Sequence, residues 1–180
     1  MKPSFLIAVI VALVLSAIGV SAADAPDIFD PVFQLVAVDM HNVFRSQHCS
    51  PPLTWSHDLA AAAQIEVDKC TQGLTEDRAG ANHEGGDPAP DDYMSTTAAV
   101  IAQWTSEDQF YNYNNPGYSD QTGHFTQVVW KASTSVGCAW TTCTNGVPFA
   151  TRLTCFYDPI GNIINPGYFA TNVLPTTCKA

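Results

Sequence analysis

Six cysteines, Cys49, Cys70, Cys138, Cys143, Cys155 and Cys178, all lie beyond an opening that reads as an export leader. That opening, "MKPSFLIAVIVALVLSAIGVSAADAP", carries one lysine, an apolar run from Phe5 to Val20, and small residues at Ala22 and Ala23. The run is shorter than the roughly 20 residues of a membrane span, and residues 1–23 are expected to be a secretory signal peptide. An even cysteine count in an exported chain favours three disulfides, and with no CxxC pair a zinc site is the weaker reading. A bridge closing a loop of about 15 residues is worth roughly 3 kcal/mol in the chain-entropy model. Three such bridges permit a loop-rich fold, although the spacings alone leave the pairing open.

Roughly 160 residues follow the leader, which suits one domain with one core over residues 24–180. Removing Lys2 with the leader leaves six basic residues against seventeen acidic ones, a net charge of −11. Nucleic acid and anionic membranes are therefore poor partners, and no later stretch is long and apolar enough to span a bilayer. No N-x-S/T sequon is present.

Periodicity places three helices before the strands. In "DPVFQLVAVDMHNVFRSQH", Asp30 caps and Pro31 starts a helix whose apolar stripe reads as Phe33, Val36, Met40 and Phe44. In "PPLTWSHDLAAAAQIEVDKCTQG", Ser56 is the cap, Leu59, Ala63, Val67 and Cys70 form the stripe, and Gly73 ends it. Residues 75–92, rich in acid, Gly and Pro, read as a long surface loop. "MSTTAAVIAQWTSEDQFYNY" makes a third helix through Val100, Trp104 and Tyr111, broken at Pro116 and Gly117. "SVGCAWTTC" and "PFATRLTCFY" read as strands with Asn145-Gly146 as a hairpin signal, and "PGYFATNV" reads as a third strand. Helices preceding strands predict an α+β fold with an antiparallel sheet.

Taken together, "HNVFR", "PLTWSHDLAAAA", "GHFTQVVWKASTSVGCAW" and "CFYDPIGNI" resemble the CAP superfamily, which comprises cysteine-rich secretory proteins, antigen 5 and pathogenesis-related 1 proteins. The match runs in order from about Asp30 to Val173, and the Tyr/Asn/Pro-rich loop is most similar to fungal pathogenesis-related 1-like proteins. The resemblance implies a single CAP domain, secretion, and a three-layer α-β-α sandwich around a central antiparallel sheet. It also implies the pairings Cys70–Cys143, Cys138–Cys155 and Cys49–Cys178.

Relatives usually hold two His and two Glu in a cleft, a set suited to zinc or magnesium. Glu107 in "WTSED" and His124 in "GHFTQ" match two of the four. Cys70 is followed by no nearby His, and the expected "GEN" reads "GAN", with Ala81 in place of the carboxylate. His83 and Glu84 are the candidates for shifted ligands. No cofactor is required on this reading, and the remaining pair would bind zinc or magnesium weakly. His124 is read as a semi-buried histidine bonded to Glu107 that orients a helix starting near Thr126. A catalytic base would need a nucleophile and an orienting partner, which the sequence does not supply. His41, Asn42 and Arg45 are read as structural, and His48 and His57 as surface residues.

"QFYNYNNPGYSDQTGHF" concentrates aromatics around a Pro-Gly turn. The family resemblance assigns Tyr111, Tyr113 and Tyr118 to a sterol-binding loop, and tyrosine suits that task because its ring is apolar and its hydroxyl solvated. Some relatives hold a fatty acid between their first and fourth helices, where Val36, Val43, Val128 and Val129 would line the channel. The expected protein is thus a secreted, monomeric, non-enzymatic binder of sterol or fatty acid acting between host and microbe. A His/Glu-dependent hydrolase, or an effector recognised by a host or cell-surface protein, is the alternative.

Overall fold

The structure is a computed structural model that describes residues 24–71, 73, 80–144 and 147–177. The chain runs α1 (Pro31–Gln47), β1 (Thr54–Trp55), α2 (His57–Val67), β2 (Ala81–Gly86) and α3 (Tyr93–Ser106). A 3-10 turn (Glu107–Phe110), α4 (Gly123–Val128), β3 (Ser135–Thr142), β4 (Thr151–Asp158) and α5 (Tyr168–Asn172) complete it.

The helix starts follow from their caps. Asp30 accepts from the amides of Val32 and Phe33, with Pro31 at the first helical position, and Ser56 accepts from Leu59 N. Asp92 accepts from the amides of Met94 and Ser95, and the Ser95 hydroxyl together with these amides holds its carboxyl below the usual carboxylate range.

The four strands lie in the order β1-β3-β4-β2. β3 pairs antiparallel with β4 and β4 antiparallel with β2, while the short β1 joins β3 in parallel. Side chains alternate along the strands, so the sheet carries two cores. On one face Val136, Cys138, Trp140, Leu153, Cys155 and Tyr157 pack with residues of α1, α3 and α4. On the other, Ala139 and Phe156 meet Ala63 and Val67 of α2. This is the three-layer sandwich, and Gly137 is what lets α2 come so close. A Cβ there would lie 2.2 Å from Ala60 N and 2.5 Å from Ser56 O.

Cys138 and Cys155, partners in the β3–β4 register, form one disulfide inside the larger core, and Cys70–Cys143 ties the end of α2 to the end of β3. Cys49 is also disulfide-bonded. Its expected partner Cys178, the leader and the Asn145-Gly146 turn lie outside the described residues.

Three local expectations need correction. The stretch read as an unbroken loop contains β2, whose six residues pair with Thr151–Phe156 of β4. "ANHEGG" has little β propensity, and it is the ladder with β4 that makes it a strand. "PGYFATNV" is not a strand but enters α5 through Gly167, whose φ of +82° suits glycine. The stripe on α1 is rotated: its buried face is Phe33, Ala37, His41 and Arg45. Hydrophobic periodicity missed this face because two of its four residues are cationic or ionisable.

Candidate functional site

The "GHFTQV" segment forms α4, beginning at Gly123 rather than near Thr126, so His124 sits in its first turn. The amides of that turn need acceptors, and Thr122 makes no side-chain cap. Glu107 supplies them instead. Its Oε2 accepts from the backbone N–H groups of His124 and Phe125, both at 3.0 Å, and its Oε1 accepts from His124 Nδ1 at 2.7 Å. A carboxylate only accepts, so Nδ1 of His124 donates this bond. The imidazole is further fixed by stacking on Trp104, with ring centroids 5.8 Å apart and planes at 16°.

Further bonds to α4 come from the segment after β4, from β2 and from α1. Asn162, at φ +54°, donates to Gly123 O at 2.8 Å and accepts from Thr126 Oγ1 at 2.6 Å. Asn82 of β2 donates to His124 O at 3.0 Å and to Tyr157 Oη at 3.3 Å. Arg45 of α1 donates to the carbonyls of Val128, Trp130, Ser133 and Pro51, all between 2.7 and 2.9 Å. Burial lowers its pKa to about 10, and it stays charged at neutral pH. His41 donates from Nδ1 to Ala37 O and accepts at Nε2 from Tyr157 Oη, both at 2.7 Å. Asn42 exchanges two hydrogen bonds with Leu53, pinning β1. The "HNVFR" residues are thus structural. His48 departs from its expected surface position: it is buried, bonds Leu174 O at 2.7 Å and meets the Phe125 ring edge-on. His57 is exposed and stacks on Phe29.

Of the candidate shifted ligands, the structure brings only His83 toward the pair. Its ring lies 6.2 Å from that of His124, and its Nδ1 is buried without a partner. Burial, reinforced by Arg152 and His124, depresses its pKa and keeps it neutral. Arg152 shares this face of β4 and uses its guanidinium to hold the carbonyls of Thr71 and Gly73. The alternation of β2 sends Glu84 to the opposite face of the strand from His83. Among the described residues no group of three or more His, Cys, Asp or Glu is assembled to hold a metal ion. The donor set does not fit the family's four-ligand centre: Ala81 offers no donor, Glu107 is engaged by three N–H groups, and a cationic Arg152 lies close by.

The three tyrosines of the aromatic loop differ in their surroundings. Tyr111 is 8% exposed and packs edge-on against Phe125 and Tyr113. Burial raises its hydroxyl to about 12. Tyr113 is half-buried and donates to Asp108. Tyr118 is exposed, with its ring over Gly123, and Phe110 beside the loop is exposed too. Of the three residues assigned to the sterol-binding loop, Tyr111 thus points inward, set toward the core where the 3-10 turn after α3 ends. Among the channel candidates, Val128 and Val129 are fully buried core residues and Val36 is half-buried. Val43 is 49% exposed on the outer side of α1.

A disulfide-stapled α-β-α sandwich whose Glu-His pair anchors a short helix defines a fold class rather than an activity. The sequence profile of the cysteine-rich secretory protein (CAP) family matches residues 38–157, and the chain belongs to that family. Protein PRY2 of Saccharomyces cerevisiae is 38% identical over 148 residues, spanning 79% of this chain and 41% of that protein. "Repressed by EFG1 protein 1" of Candida albicans is 35% identical over 162 residues, 85% of this chain and 58% of its own length. The chain therefore spans about half the length of these two fungal relatives. It covers 88% of the human Golgi-associated plant pathogenesis-related protein 1, at 34% identity over 138 residues and 75% of this chain. The solved structure of BmVAL-1 shares the fold at a TM-score of 0.66 and 22% identity, covering 84% of this chain and 87% of that one.

Proposed function

We propose that this is a secreted, non-enzymatic lipid-binding protein that takes up a sterol through the loop at residues 110–118. The observation that carries this reading is the loop's construction. Phe110 and Tyr118 are 54% and 51% exposed, while Tyr111 is sunk in the core and Tyr113 is tied to Asp108. Two aromatic faces are thus held out to solvent on a pinned base, which lowers the ordering cost of binding. Fatty acid is the second lipid class that the family resemblance suggests, at α1 and α4.

Catalysis is disfavoured because the Glu107 carboxylate already accepts three hydrogen bonds that hold α4. Any weak zinc binding would fall to His124 with His83 beside it, magnesium would need the oxygens of Glu107, and lipid binding does not depend on either. Membership of a secretory family and the buried disulfides support an oxidising, extracellular destination.

The test is equilibrium binding of a labelled sterol to the disulfide-intact protein, with and without chelator. Phe110→Ser with Tyr118→Ser is expected to weaken binding at least about tenfold, since each ring buries more than 100 Å² or so. Chelator is expected to change nothing. Undiminished binding by the double variant would refute the loop as the site.

A further inference from the structure

Helix α1 is buried on one side and largely apolar on the other. Its inner side, Phe33, Ala37, His41 and Arg45, is buried. Residues 32, 35, 36, 39 and 43 follow the helical repeat on the outer side. There Val32 is 54% exposed, Leu35 59% and Val43 49%, with Val36 half-buried beside them and Asp39 the one charge in the row. Phe29, just before the helix, is 67% exposed. An ordinary surface helix turns charged and polar residues outward, whereas this one turns out a row of aliphatic side chains.

We propose that this outer face of α1 docks the protein on a neutral, zwitterionic lipid bilayer. Two observations select that occupant. The exposed apolar area of the row and Phe29 is on the order of 400 Å², well short of the roughly 800 Å² per partner of a stable protein interface. It is ample for a helix lying in the plane of a headgroup layer with its aliphatic side chains inserted.

Charge points the same way. The full chain has a net charge of −10, and both described arginines, Arg45 and Arg152, are buried. Of the described lysines, Lys69 is paired with Glu66 at 2.8 Å and Lys131 stands exposed on the segment after α4. A second copy of the chain and an anionic lipid surface would both be repelled, whereas an uncharged surface would not. α1 thereby gives a lipid carrier a way to meet the membrane from which it loads.

Docking goes beyond the sterol-loop reading and is tested without sterol, so that each can fail alone. The full mature protein is floated with sterol-free phosphatidylcholine vesicles, at low and high salt, and with a fraction of phosphatidylserine added. Leu35→Gln with Val43→Gln is expected to lower partitioning about tenfold or more, because both side chains give up roughly half of their apolar surface to the bilayer. High salt is expected to leave wild-type binding in place, and phosphatidylserine to weaken it at low salt. Asp39→Asn is expected to strengthen flotation several-fold, a gain that misfolding confined to the double variant cannot mimic. The inference is overturned if the wild type stays unbound, or if wild type and double variant float equally. Sedimentation showing a wild-type dimer that the double variant dissociates would overturn it too, by assigning the face to a second copy.

Discussion

His41 offers a direct thermodynamic test of the interior. It is fully buried, its Nδ1 donates to Ala37 O, and its Nε2 accepts from Tyr157 Oη. A second proton would displace the tyrosine hydroxyl from Nε2 and place a charge near Arg45. Burial, with a smaller contribution from Arg45, lowers the pKa from 6.5 to about 4. The unfolded chain takes up this proton below its ordinary pKa and the folded chain only near the lowered one. Stability therefore falls as pH drops through that window and levels off below it. At about 1.4 kcal/mol per tenfold change in proton affinity, the full effect is roughly 3 kcal/mol, and about 2 kcal/mol of it falls between pH ~7 and pH ~4.5. The assay is urea unfolding of the disulfide-intact protein at those two pH values, for the wild type and for His41→Gln, which keeps a donor and an acceptor. Other groups, including His83 and the carboxylates, titrate in both proteins and cancel in the difference. The wild type is expected to lose about 2 kcal/mol more than the variant. Equal losses would refute the argument.

Two further outcomes follow from the packing. Glu107→Ala removes three charge-assisted hydrogen bonds from the start of α4 and is expected to cost about 3 kcal/mol, measured by urea unfolding, with Glu107→Gln recovering part of it. A catalytic Glu107 would instead leave stability unchanged. Gly137→Ala puts a methyl group against the backbone of α2 and is expected to cost 3 kcal/mol or more, on the order of severe overpacking, seen as a lowered melting temperature. An unchanged melting temperature would mean that α2 does not pack as described.

The sequence by itself determined the helix starts, because Asp30, Pro31 and Ser56 act within a few residues of where they stand. It also determined the family, which was legible in "GHFTQVVW" and "CFYDPIGNI". The tertiary structure decided which face of α1 is inside. His41 and Arg45 read as surface residues in any local pattern, and only the carbonyls after α4 and the hydroxyl of Tyr157 make their burial favourable. It likewise made a strand of "ANHEGG", whose residues have no β preference until β4 offers them a ladder. The Glu107–His124 pair is the clearest division. Its members can be picked out from sequence, but their work, capping the helix that the signature motif builds, depends on residues 17 positions apart meeting at one helix end.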